Sequence, residues 1–177
     1  MFKPFYQVIK MSSIVLTGSS LKSTNIPAAV FESALFLDNA EKSRNGANPG
    51  LAPKNNISIN ISSDEGVVTI AATLPAEISV DAAASISYNA KDYLGGTYAA
   101  FVPGGDILAT SAMDAFVALA QRLSSAEKLV QPVEDQPNFI QVDSSSEAGT
   151  ITVTATLPYT ATILATGQLQ VTMLDYL

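Results

Sequence analysis

The chain repeats itself. Shifting the 177-residue sequence by 83 positions lays Asn55–Pro75 on Asn138–Pro158 without a gap, and ten of the 21 aligned positions are identical. The same shift lays Asp92-Tyr93-Leu94 on Asp175-Tyr176-Leu177. A repeat of this length makes each copy one supersecondary unit, so whatever covers the apolar face of one copy must have a counterpart in the other. The expected division is an N-terminal arm over residues 1–11, a first module over 12–94 and a second over 95–177, with Gly95-Gly96 at the boundary.

Inside each copy the hydrophobic period is two. Ile57, Ile59 and Ile61 alternate with Ser58, Asn60 and Ser62, and Val68, Ile70, Ala72 and Leu74 alternate with Thr69 and Thr73. The second copy repeats the pattern with Ile151, Val153, Ala155 and Leu157. Such alternation gives strands with one dry face. Ser63-Asp64-Glu65-Gly66 and Ser146-Glu147-Ala148-Gly149 lie between the strands and have the chemistry of a type I turn closed by a glycine of positive φ. A register with Ser62 opposite Val67 places Ile57 opposite Ala72. Pro75 then lies past the start of the first strand, and Ile78 and Val80 continue the same long strand with unchanged parity. A third strand follows, with Ile86, Tyr88 and Ala90 aligned to Leu169, Val171 and Met173.

Upstream of each hairpin the period lengthens. Met113, Phe116, Val117, Ala120 and Leu123 are spaced as one face of a helix, and Ser111-Ala-Met-Asp114 has the form of a capping box. In the first copy Val30, Phe31, Ala34, Leu35 and Leu37 are expected to play the same part, after a start near Asn25-Ile-Pro27. A short apolar stretch precedes each helix, at 14–17 and 98–102, and reads as a strand. The expected fold class is therefore α+β: a tandem duplication of a β-α-β-β-β module, each module an antiparallel sheet with one helix on its dry face.

Composition narrows function mainly by removal. Nine basic residues against sixteen acidic ones give a formal charge of −7, and the second copy holds just two of the nine, Arg122 and Lys128. No basic stripe is present to neutralise phosphates, so neither nucleic acid nor an anionic membrane is an expected partner. No run is long enough to span a bilayer, and Lys10 interrupts the apolar stretch that a signal peptide would need. The chain has no histidine and no cysteine, which removes Ser-His-Asp and thiol nucleophiles together with imidazole and thiolate metal sites. Asp92 and Asp175, at equivalent strand ends, read as surface carboxylates rather than a catalytic pair. Asp64, Glu65 and Glu147 fall short of a calcium ligand set. Gly95-Gly96 and Gly104-Gly105 do not form a phosphate-binding fingerprint, and the two Asn-Ile-Ser sequons at Asn56 and Asn60 carry little weight without a signal peptide. No catalytic residue, cofactor or metal is expected.

Two groups of side chains stand out as candidates for an interface. Tyr93 and Tyr176 end the two copies beside a leucine, where an amphipathic ring suits either a partner or the end of its own sheet. Phe2, Phe5, Tyr6, Val8 and Ile9 crowd the N-terminal arm, which has no counterpart in the second copy.

Ala72-Thr-Leu-Pro75 with Asp92-Tyr-Leu94, and Ala155-Thr-Leu-Pro158 with Asp175-Tyr-Leu177, give a duplicated, low-charge, Ala/Ser/Thr-rich chain. Over about two thirds of its length the chain resembles the small structural proteins of tailed-bacteriophage virions. The resemblance implies a non-catalytic, homo-oligomeric part of a tail, baseplate or capsid surface, located in the virion, with the cytoplasm as the alternative. Its partners would be other copies of itself and other structural proteins. The alternative expectation is an adhesin-like or carbohydrate-binding module that uses exposed Thr, Ser and Tyr.

Overall fold

The computed structural model describes residues 21, 23, 25–47, 55–62, 64–94, 107, 109, 111–130, 139–145 and 147–177. The short apolar stretches at 14–17 and 98–102, the N-terminal arm and the Gly95-Gly96 boundary lie outside these residues. The described chain is a mixed α+β fold, an antiparallel six-stranded sheet with two helices. Its elements are α1 (Ile26–Ala47), β1 (Ile57–Ser62), β2 (Val67–Val80), β3 (Ile86–Ala90), α2 (Ala112–Val130), β4 (Ile140–Ser145), β5 (Thr150–Ile163) and β6 (Leu169–Met173).

The alternation in the sequence becomes the sheet directly. β1 pairs with β2 from Ile57↔Ala72 to Ser62↔Val67, the register that the turn residues imply. β4 and β5 pair in the same way, from Ile140↔Ala155 to Ser145↔Thr150. Gly66 and Gly149 close the two turns with φ of 64° and 59°, a conformation that glycine adopts without the Cβ penalty. The hydroxyls of Ser62 and Ser145 accept the N–H groups of Glu65 and Ala148 and fix both turns. β2 and β5 run unbroken through their prolines. At the Pro75 end, the carbonyl of Pro75 takes the N–H of Lys91, and the N–H of Thr73 goes to Asn56. The proline nitrogen therefore faces the junction between the start of β1 and the end of β3, and no ladder bond is lost there.

The centre of the sheet joins the two copies. β2 lies antiparallel to β5 from Val67↔Pro158 to Pro75↔Thr150. Ala71 pairs with Thr154, its own equivalent under the 83-residue shift, so the register is symmetric about that pair. Each hairpin turn also closes on the opposite copy: the carbonyl of Gly66 accepts from Tyr159, and that of Gly149 accepts from Ala76.

Both helices pack on one face of the sheet and on each other. α1 lies on β1 of its own copy and β6 of the other, and α2 lies on β4 and on β3. Ile57, Val68, Ile70, Ala72 and Leu74 from one copy and Ile140, Ile151, Val153, Ala155 and Leu157 from the other form one continuous cluster with Leu37, Phe116, Leu119 and Leu123 of the helices. The crossed packing is fixed by polar contacts at the helix starts. Asn25 caps α1 by accepting the Ala28 N–H, and its amide donates to the carbonyl of Met173 at the end of β6. Ser111 caps α2, its hydroxyl accepting the Asp114 N–H and donating to the Asp114 carboxylate, and that carboxylate also accepts the N–H of Ala90 at the end of β3.

One expectation needs correction. Of the five residues assigned to the buried face of α1, Val30, Ala34 and Leu37 are buried, but Phe31 is half-buried and Leu35 is 40% exposed. The strands obey the 83-residue shift, whereas the helices begin at Ile26 and Ala112, a shift of 86. Three residues missing between helix and strand in the second copy rotate the alignment by nearly one turn. Aligned by 86, Ala29, Val30, Ala34, Leu37 and Glu41 fall on Ala115, Phe116, Ala120, Leu123 and Glu127, all of them buried.

Candidate functional site

Tyr93 and Tyr176 do not stand out from the fold. Each turns its ring inward and donates its phenolic O–H to a helix carboxylate, Tyr93 to Glu41 and Tyr176 to Glu127. Both carboxylates are fully buried, and the strands that follow the helices supply their other donors. Glu41 accepts the N–H groups of Asn56 and Ile57 at 2.9 and 3.1 Å, and Glu127 accepts that of Ile140 at 3.1 Å. Helix, first strand and C-terminal tail of each copy are thereby tied at one carboxylate. Burial first, and then the hydrogen bond to the carboxylate, raises both phenols well above their ordinary pKa of 10. Around this shared centre the copies differ. The Arg44 guanidinium lies 5.5 Å from the Tyr93 ring centroid, while Phe139 meets Tyr176 edge-on at 5.0 Å.

Glu41 thus meets three donors held by the fold and Glu127 two. Among the described residues no group of three or more acidic or other ligating side chains is placed to hold a metal ion. Asp92 bonds the N–H of Leu94 and so acts in its own turn. No helix among the described residues is long and apolar enough to cross a membrane.

What the structure leaves to solvent lies elsewhere. Beyond Leu74, β2 pairs with β3 through Ala76↔Ala90, Ile78↔Tyr88 and Val80↔Ile86, all on the dry face of the sheet. β5 and β6 do the same through Tyr159↔Met173, Ala161↔Val171 and Ile163↔Leu169. The first pair in each hairpin is buried under a helix start. The last pair has run past the helices: Val80, Ile86, Ile163 and Leu169 are 60%, 57%, 76% and 53% exposed. Because β2 and β5 are antiparallel, the two hairpins leave the sheet at opposite ends. The sequence pattern marked these residues as apolar; that they project beyond cover depends on helix length and position.

The opposite face of the central sheet carries Thr69, Thr73, Thr152, Thr154 and Thr156 beside Ser58, Asn60 and Gln141, and no described element covers it. Phe2, Phe5, Tyr6, Val8 and Ile9 lie outside the described residues. Compared with known proteins, the chain matches no family model, no curated protein and no solved structure.

Proposed function

We propose that this chain is a non-catalytic assembly protein, a tandem duplication of a β-α-β-β-β module that serves as a homo-oligomeric component of a virion tail, baseplate or capsid surface. The observation that carries this reading is the pair of hairpins that extend the apolar face of the sheet past its helices in opposite directions. A soluble monomer gains nothing from such tips. Covering Val80, Ile86, Ile163 and Leu169 would contribute about 1–2 kcal/mol apiece before ordering costs. Two sticky ends on one sheet allow rings or stacked arrays, and the internal repeat offers a partner two similar surfaces per chain. The absence of histidine and cysteine from the whole sequence supports a role without catalysis. The test is light scattering after size exclusion: the wild-type chain should associate, and Val80→Ser with Ile163→Ser should weaken association. A monodisperse monomer at all accessible concentrations would remove the proposal.

A second reading rests on the uncovered threonine-rich face, which would present hydroxyls to a carbohydrate. A glycan array distinguishes the two readings, since a specific hit lost in Thr154→Val would favour the binding module.

A further inference from the structure

An open groove runs between α1 and β6. Phe31, Leu35, Val171 and Met173 line it, with Ser23 and Glu32 hydrogen-bonded to each other at its rim. The repeat shows how the walls of this groove differ from those on the other side of the molecule. Val171 is the equivalent of Tyr88 under the 83-residue shift, and Tyr88 packs its ring half-buried against the core on the other side of the molecule. Under the 86-residue helix shift Phe31 is in turn the equivalent of Val117, so on this side the ring is carried by α1 rather than by the sheet, and Leu35 beside it is 40% exposed.

We infer that this groove receives the aromatic N-terminal segment, residues 1–11, of a second copy of this chain. The inference rests on the assembly reading above and names the surface that reading requires. Charge favours this occupant. Residues 1–20 carry Lys3 and Lys10 and no carboxylate, whereas the remaining 157 residues carry seven basic groups against sixteen acidic ones, with Glu32 at the groove itself. Reach allows it: residues 12–20 span about 30 Å when extended, enough to leave the body at Leu21 and cross to a neighbour. The second copy reaches the same helix and three strands with no such segment, so the fold does not need it. Phe2, Phe5 or Tyr6 would fill the space beside Val171, and a lysine would face Glu32. Reciprocal exchange gives a twofold dimer, and one-way exchange gives a ring.

The test compares three full-length proteins by light scattering and thermal melting: wild type, the triple variant Phe2→Ser, Phe5→Ser, Tyr6→Ser, and Leu35→Lys. Leu35 is exposed enough that the lysine should not disturb folding. The expected result is that wild type associates, both variants raise the dissociation constant at least about tenfold, and both keep the wild-type melting temperature. A synthetic peptide of residues 1–12 should compete with association of the wild type and have no effect on what remains in Leu35→Lys. If wild type and both variants associate equally, the groove is not the site, although the assembly reading stands. If wild type is monomeric, both fail. If the triple variant is monomeric with a lowered melting temperature, the segment belongs to its own fold and the inference is wrong.

Discussion

Removing one oxygen from each terminal tyrosine should separate two carboxylates that otherwise look alike. In Tyr176→Phe the ring and its edge contact with Phe139 remain, but Glu127 loses the Tyr176 hydroxyl and keeps the N–H of Ile140. In Tyr93→Phe, Glu41 still holds two backbone donors, Asn56 and Ile57. A buried acceptor deprived of a partner costs roughly 1–3 kcal/mol, more when it is charged and has fewer donors left. Tyr176→Phe should therefore lie near the upper end, about 2–3 kcal/mol, and Tyr93→Phe nearer 1. For a chain of 177 residues each kcal/mol moves the melting temperature by roughly 2–4 °C, so the two variants should differ by several degrees. Differential scanning calorimetry at neutral pH measures this directly. Equal losses, or a larger loss at Tyr93, would refute the argument from remaining donors. Loss of neither would show that the carboxylates do not depend on the phenols.

The same phenols set an alkaline limit. Both are raised above their ordinary pKa of 10 in the fold, so the folded state holds protons that the unfolded chain gives up. Stability should be unaffected by them below about pH 10 and should fall as pH rises beyond it; the Tyr93→Phe, Tyr176→Phe double variant should show a shallower decline in an alkaline melting series. At the hairpin turns, a Cβ on Gly66 or Gly149 would meet the nearest atom at 3.6 or 3.5 Å, so space is not limiting and the backbone is. Gly→Val at either should cost about 1–2 kcal/mol more than at Gly46, where nothing lies within 4 Å and φ is not positive. Equal melting temperatures would count against the turn geometry. Ala84 has φ of 60° where the second copy places Gly167 with φ of 77°. Ala84→Gly should therefore gain about 1 kcal/mol and Gly167→Ala should lose about as much, in paired urea titrations.

The candidate surface was partly legible. The alternation through Val80, Ile86 and Leu169 identifies their common face, which Ile163 joins as the equivalent of Val80 under the 83-residue shift, but whether that face is covered depends on where the helices stop. Tyr93 and Tyr176 were visible as a recurring pair, and their partners were not. Glu41 and Glu127 fall 86 residues apart, and a shift of 83 lays Glu41 on Ser124. Aligning the helices separately from the strands would have exposed the match.

The sequence by itself determined the hairpins. Alternating side chains, a serine-led turn and a glycine needing positive φ are local requirements, satisfied within about 20 residues, and they specify register before any distant contact forms. It also determined the N-cap at Ser111, for the same reason. Tertiary structure alone decided that β2 pairs with β5, that each helix starts against the last strand of the opposite copy, and that the two copies share one core. An edge strand with one dry face can pair with any other such edge, so its sequence does not name its partner. The choice follows from burying both helices and both dry faces at once, a condition that exists only when the whole chain is folded.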